Sequence, residues 1–228
     1  MERITILMGH YGSGKTEIAV EKALMSAQNG RKTTLVDLDV INPYFRSGEQ
    51  AGVLEEAGVS VIMPVFEGYN VDVPSLPPQV NRIFADQESR FILDAGGETG
   101  GAAVVGSFAR QLAQEDAAAY AVVNTLRPWC DTVAHIAGMI DKLTSRSRLP
   151  IAGIIHNTNL ARQTTPEQVV AGQRLAEEAG AALGIPVVEI YAQPAILAAL
   201  PEDFQAAYAA ELRPLHLRMR PDWLDETL

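Results

Sequence analysis

Eight consecutive residues, Gly9-His10-Tyr11-Gly12-Ser13-Gly14-Lys15-Thr16, fit the pattern G-x-x-x-x-G-K-[ST] without exception. Residue types in this order hold phosphate. The loop opens at Gly9, and Gly12 and Gly14 let the backbone N–H groups of the loop, including those of Tyr11 and Ser13, curl around an anion that a following helix N-terminus also attracts. Lys15 reaches the β- and γ-phosphates and the Thr16 hydroxyl takes Mg²⁺. Such a loop needs a strand before it and a helix after it. The apolar run Ile4 to Met8 and the amphipathic segment Lys15 to Gln28 supply both.

Two further segments carry carboxylates at predicted strand ends. In Leu35-Val36-Asp37-Leu38-Asp39, the acids at 37 and 39 point to one side of an extended chain, where both can face one metal or one attacking water. In Phe91-Ile92-Leu93-Asp94-Ala95-Gly96-Gly97, an apolar strand ends in a carboxylate suited to the Mg²⁺ water shell. Gly97 then lets a backbone N–H approach a γ-phosphate. Thr16, Asp39 and Asp94 are therefore the expected metal residues, and Lys15 and Asp39 the expected catalytic ones. The Glu98-Thr99-Gly100-Gly101 segment keeps this last loop pliable, as a nucleotide-sensing switch requires.

Elements that can position these groups are legible in the hydrophobic pattern. Strands are predicted at 4–8, 33–37, 60–63, 91–94, 118–124, 151–156 and 187–191, mostly as continuous apolar runs suited to strands buried on both faces of a parallel sheet. Helices are predicted at 15–28, 47–56, 77–87, 101–114, 130–144 and 166–183, with Gly30 closing the first and Thr165-Pro166 opening the last. This alternation predicts a doubly wound, mostly parallel α/β sheet flanked by helices in three layers, α/β/α, with ligands at the carboxyl ends of the strands; the glycine loop after its first strand makes it resemble a P-loop NTPase fold. A single domain over 1–228 is expected, with peripheral helices broken at Pro201 and Pro214 from about residue 195 onward. The Pro-rich stretch 64–78, with Phe66 and Tyr69, reads as a surface loop that a protein partner could contact.

Composition narrows the function classes. With 18 Lys plus Arg against 28 Asp plus Glu, the net charge of −10 disfavours a nonspecific DNA binder. The lone Cys130 forms no intramolecular disulfide, no Cys/His cluster has zinc spacing, and no apolar run is long enough to span a membrane. The expectation is a cytoplasmic protein, with Cys130 and Trp129 serving packing. Arg127, after a predicted strand end, reads as an exposed arginine, with a place over the nucleotide as the alternative. Arg146 and Arg148 read as the solvated end of a helix.

Taken in order, GHYGSGKTE, VDLDVINPYF, ILDAGG and GIIHNTNL resemble the SIMIBI-class P-loop ATPases of the MinD/ParA, nitrogenase iron-protein and CobQ/CobB type, over roughly residues 3 to 195. The resemblance implies that Asp39 orients or activates the attacking water, that Asp37 is an acidic switch residue and that Asp94 is the Walker B carboxylate. It also implies that Asn157 hydrogen-bonds adenine. Many members carry an extra lysine early in the loop that reaches a dimer partner's nucleotide; His10 stands at that position here, with Tyr11 where glycine is common. No N-K-x-D guanine motif is present, which favours ATP over GTP. The implied function is a slow Mg²⁺-dependent ATPase acting as a switch on a protein partner, cycling between ATP and ADP and able to homodimerise. The alternative is a biosynthetic synthetase or small-molecule kinase of the dethiobiotin synthetase/CobQ type, against which no added substrate domain is visible. A metallochaperone ranks lower for want of exposed Cys or His ligands, and neither DNA nor a membrane is an expected partner.

Overall fold

A computed structural model describes residues 2–39, 50–64 and 77–218. The helix expected from residue 47 is described only from Ala51, and the Pro-rich stretch lies outside the described residues apart from its ends. In chain order the elements are β1 (Ile4–Gly9), α1 (Lys15–Gln28), β2 (Thr33–Asp37), α2 (Ala51–Glu56), β3 (Val59–Ile62), α3 (Arg82–Ala85), β4 (Arg90–Asp94), α4 (Glu98–Ser107) and α5 (Ala109–Leu112). There follow β5 (Ala117–Val123), α6 (Val133–Ser147), β6 (Ile151–His156), α7 (Pro166–Leu183), β7 (Val187–Ala192), α8 (Pro194–Ala199), α9 (Glu202–Ala207) and β8 (Leu212–Pro214).

The strands form one parallel sheet in the order β3-β2-β4-β1-β5-β6-β7-β8. β1 is central, with β4 on one side and β5 on the other, so chain connections leave it in opposite directions. A crevice is expected at the carboxyl end of such a switch point. Alternation along β1 divides the core. Ile4, Ile6 and Met8 face a layer built from α4, α6 and α7, while Leu7 faces α1 through Ile18, Ala19 and Ala23. This is the expected three-layer α/β/α architecture.

Local chemistry fixes the long helices. Thr165 caps α7 in a reciprocal box with Gln168, Pro166 occupies its first turn, and Gly184 closes it in the left-handed conformation. Helix α6 begins later than expected, at Val133, because the Thr132 side chain accepts from the His135 N–H and sets the N-cap there. The helix expected over 101–114 starts earlier, at Glu98, and breaks at Phe108, which ends α4 and opens α5.

The described part of the C-terminal segment departs from the all-helical expectation. α8 and α9 are present, packed with β7 and α7 around Ile190, Val169 and Phe204. The chain then turns extended, and β8 adds a parallel edge strand to β7. Pro214 fits there because it stands at the strand's end on the sheet edge. Leu215 is fully buried against the α1 layer, and its N–H donates to the Ala192 carbonyl at 2.9 Å. Beyond it, His216 Nδ1 lies 3.0 Å from Glu21, the Arg218 guanidinium pairs with Glu21, and the Arg218 N–H reaches the Glu17 carboxylate at 3.0 Å. The tail is thus a strap laid along α1. Leu215→Ala should destabilise the protein by about 2–5 kcal/mol in chemical denaturation, as for other buried leucines; a peripheral tail would leave the midpoint unchanged.

Candidate nucleotide site

The glycine loop lies between β1 and α1. Gly12 and Gly14 have φ of +72° and +87°, values that favour glycine, and Gly14 directly precedes α1. The loop is tied to its neighbours from behind and from one side. Asn157, buried just past β6, donates from Nδ2 to the Ser13 carbonyl at 2.8 Å, while Arg127, past β5, donates from Nε to the Gly12 carbonyl at 3.1 Å. A Cβ on Gly14 would stand 2.2 Å from Asn157 Nδ2, so both backbone conformation and space require glycine. Within the loop, Ser13 N–H and Lys15 Nζ both donate to the His10 carbonyl, at 3.2 and 2.9 Å.

Carboxylates converge on the same cleft because of strand register. Leu7 on β1 and Asp37 on β2 both pair with Asp94 on β4, which places Asp37 and Asp94 side by side at the sheet's carboxyl end. Asp94 Oδ2 accepts the Thr16 hydroxyl at 2.6 Å, and Asp39 follows at the rim with its N–H on Asp37 Oδ1 at 2.8 Å. A Cβ on Gly96 would lie 2.7 Å from Asp39 Oδ1, so the loop after β4 reaches this carboxylate closely only with glycine there. Burial, reinforced by the neighbouring Asp37 charge, pushes the Asp94 carboxyl up to about 7 against the opposing pull of Thr16 and Lys15.

That arrangement suits a hydrated divalent cation held jointly with phosphate. Buried Asp94 Oδ1 has no hydrogen-bond partner among the described residues, and a positive ion nearby would relieve the crowding of acids. No group of three or more His, Cys, Asp or Glu at metal-binding geometry occurs among the described residues. A closed protein cage is therefore not what this site offers. Mg²⁺ needs none, since it keeps several waters and binds through one or two protein groups plus substrate phosphates.

The cleft itself has a volume of about 630 Å³, within the range of small-molecule sites. Gly12, Gly14, Lys15, Thr16, Asp39 and Asp94 line it, as do Tyr11 and Gly97, so most of the residues singled out in the sequence come together. Gly9 and Ser13 lie at the back, with a Cβ on Gly9 only 2.5 Å from the Val122 carbonyl. Asn157 is placed differently from a simple base contact. It is buried beneath the loop with one amide N–H on the Ser13 carbonyl, and its buried Oδ1 has no partner among the described residues.

In the β5–α6 connection, Arg127 is exposed as expected, and its Nε also bonds the glycine loop at the cleft. Trp129 is 65% exposed at the mouth of the cleft, so it does not serve packing; Cys130 does, fully buried with its thiol pushed up to about 11 by burial. Arg148 is also more than a solvated helix end, because it closes α6 with a left-handed backbone and its guanidinium hydrogen-bonds the Gly106 carbonyl of α4. The Leu126-Arg127-Pro128-Trp129 run after a strand was the available signal for the first two, but the turn that aims them is a tertiary property.

Under the cleft lies a buried polar set. His156 Nε2 is 2.6 Å from Thr158 Oγ1, which is 2.7 Å from Thr125 Oγ1, and α7 can approach them only because residue 172 is glycine. Burial lowers the His156 imidazole to about 3, so it is neutral at physiological pH.

No protein-family model matches this chain, and no curated protein sequence matches it. Solved structures do. The cell division protein FtsY of Thermotoga maritima is similar over 95% of this chain and 66% of its own, with TM-score 0.54 and 19% identity. The Signal Recognition Particle 54 kDa protein of Aeropyrum pernix K1, in complex with GDP, is similar over 83% of this chain and 41% of its own, with TM-score 0.53 and 21% identity. Chloroplast FtsY of Physcomitrella patens gives TM-score 0.56 at 15% identity, over 83% of this chain and 58% of its own. This chain spans less than two thirds of the length of those chains. At such identities the likeness concerns the fold, which is that of the P-loop NTPases.

Two outcomes follow from this geometry. Gly14→Ala should keep the far-ultraviolet circular dichroism of the parent yet lose nucleotide binding in equilibrium titration, since the loop must shift off Asn157. Because unfolding frees His156 to take a proton near its ordinary value of 6.5, its contribution to stability should fall as pH drops from 6.5 toward 3, by up to about 1.4 kcal/mol per pH unit, while the raised Asp94 carboxyl contributes in the opposite sense below about 7. His156→Gln should remove this contribution, so that its urea midpoint rises relative to the wild type as pH drops from 6.5 toward 3; a difference that does not change with pH would contradict the assignment.

Proposed function

We propose that this protein binds Mg·ATP, hydrolyses it slowly and uses the nucleotide state to control association with itself or with a protein partner. The single observation that carries the reading is the convergence of the glycine loop, Lys15, Thr16 and Asp94 on one cleft at the centre of the sheet. Its support is the combined chemistry of that cleft. Successive backbone N–H groups and the positive end of α1 favour phosphate. Mg²⁺ would be held by Thr16, with Asp94 and Asp39 on its water shell, and would neutralise charge developing on the transferred phosphoryl group. Lys15 would turn from the His10 carbonyl toward the β- and γ-phosphates. Asp39, at the rim beside the Gly96 backbone, would orient the attacking water, while Gly97 would present a backbone N–H to the γ-phosphate. Arg127, on the loop carbonyl of Gly12, is within the cleft that the phosphates would enter and can add positive charge there.

The choice of ATP over GTP rests on the missing N-K-x-D guanine motif and on the resemblance that places Asn157 at the adenine; in the free protein Asn157 is buried with one amide N–H on Ser13, so it would have to turn toward the cleft to meet a base. Asn159, two residues on, has its own oxygen occupied by the Ala161 N–H and the Thr164 hydroxyl. The FlhF structure that resembles this chain, with TM-score 0.50 and 15% identity over 83% of this chain and 65% of its own, was solved with GTP and Mg²⁺, and N-K-x-D is absent here. The MinD/ParA and CobQ resemblance, a cytoplasmic setting and homodimerisation belong to the same proposal. His10 in place of a lysine argues for a weaker dimer contact at that position. Among the described residues no helix is long and apolar enough to cross a membrane.

Phosphoryl transfer to a small molecule is the second reading, favoured by a cavity next to the cleft that is described below. Variants separate binding from turnover. Lys15→Ala should abolish nucleotide binding or turnover, whereas Asp39→Ala should bind Mg·ATP normally and lose hydrolysis by about 10²-fold or more. Normal turnover by Asp39→Ala would remove that residue from the mechanism. Light scattering in the apo, ADP and nonhydrolysable-ATP states should show association only with the last.

A further inference from the structure

A second cavity, of about 410 Å³, opens beside the nucleotide cleft and shares His10 and Trp129 with it. Its far wall is helix α6, which contributes His135, Gly138, Met139, Lys142 and Leu143, and Thr99 of α4 closes another side. The volume falls within the range of small-molecule sites, and the floor is apolar with a few polar groups around it, the composition such sites share.

Three features argue that this space is built rather than left over. Gly138 sits inside α6, where glycine is less favourable than alanine, and glycine is commonly kept in a helix so that another element can approach. No described atom lies within 4 Å of where its Cβ would be, so close packing does not require glycine here; its effect is to widen the cavity. Trp129, a bulky residue, is held at φ +66°, a conformation such side chains rarely adopt, and it remains 65% exposed. Residues held in this way cluster where a ligand is clamped. Its indole meets the His135 ring edge-on, with centroids 5.4 Å apart. His135 is in turn fixed, with Nδ1 2.6 Å from Asp131 Oδ1 and the helix start set by Thr132. That contact orients the ring and leaves Nε2 as the nitrogen available to a ligand.

We infer that the cavity between α4 and α6 binds a small organic anion with an apolar body, adjacent to the phosphate end of the nucleotide cleft. The body would rest on Met139, Leu143 and the Trp129 indole, and the anionic group would face the Lys142 ammonium and His135. A nucleotide is a poor occupant of this second space because its wall, unlike the glycine loop, offers no run of backbone N–H groups. The orientation toward the phosphate end rests on the nucleotide reading above, through the shared His10 and the position of Thr99 just past Gly97; the existence of the anion site does not.

The test uses 8-anilinonaphthalene-1-sulfonate, an aromatic sulfonate, with the 228-residue chain titrated in the absence and in the presence of nonhydrolysable ATP and Mg²⁺. Dye fluorescence excited through tryptophan, in a Trp223→Phe background that leaves Trp129 as the sole donor, reports binding near Trp129. The wild type should bind saturably, Gly138→Leu should weaken binding about tenfold or more by filling the cavity, and Lys142→Ala should weaken it by a smaller factor. Gly138→Leu should retain wild-type affinity for a fluorescent ATP analogue and an unchanged circular dichroism spectrum, since leucine is a better helix former than glycine. Equal dye affinity in wild type and Gly138→Leu would overturn the inference, as would dye that ATP displaces competitively, because it would then occupy the nucleotide cleft. Loss of ATP binding in the wild type, with the Gly138→Leu effect on the dye intact, would count against the nucleotide reading and leave the anion site standing.

Discussion

The hydrogen bond from Asn157 to the Ser13 carbonyl, with Gly14 pressed against the same amide, is the contact on which the arrangement of the site depends. It ties the turn after β1 to the end of β6, two strands away in the sheet. A loop that presents its N–H groups inward gains little from its own side chains and must be held from outside. Asn157 does this from below and Arg127 from the side, with Lys15 and Ser13 gathered on the His10 carbonyl. The cost of the left-handed residues at 12 and 14 is acceptable because they are glycines. On the proposed reading this holds the loop in shape at the positive end of α1, and a phosphate would have only to draw Lys15 and the Ser13 N–H off the His10 carbonyl.

Electrostatics supply the second half of the site. Parallel pairing of β2 with β4 sets two buried carboxylates next to each other, and Asp39 adds a third at the rim. Crowded acids beside a cradle for anions would repel the phosphates they face if no cation intervened. Thr16, bonded to Asp94 and standing directly after Lys15, occupies the place where a cation can join the two. The strap from β8 to Arg218 bonds Glu17 and Glu21 on the first turns of α1, and Glu17 also lines the cleft, so the C-terminal segment braces the helix that carries the site.

Much of this was legible in the sequence for a physical reason. Strands of a doubly covered parallel sheet are nearly all apolar, and β2, β6, α1 and α7 fall where their hydrophobic runs and caps place them. The glycine loop and the two acidic strand ends are local patterns, and local patterns survive without tertiary knowledge. What escaped was set by distance contacts. β8 is three residues long, ends in proline and exists only because β7 offers it an edge. Arg127 and Trp129 acquire their directions from the turn after β5, and Trp129 was expected to pack precisely because a tryptophan's exposure is not written in its neighbours. The cavity beside α6 left one trace, a glycine at 138 within a helical pattern, whose meaning appears only once its surroundings are empty of described atoms.

Calorimetric titration of the apo protein with Mg·ATP and, separately, Mg·GTP tests the central claim most directly. The account predicts saturable one-site binding of ATP, with GTP weaker by about tenfold or more because the chain lacks the N-K-x-D guanine motif. Equal or tighter binding of GTP would contradict the base assignment, and no heat with either nucleotide would contradict the reading of the cleft itself.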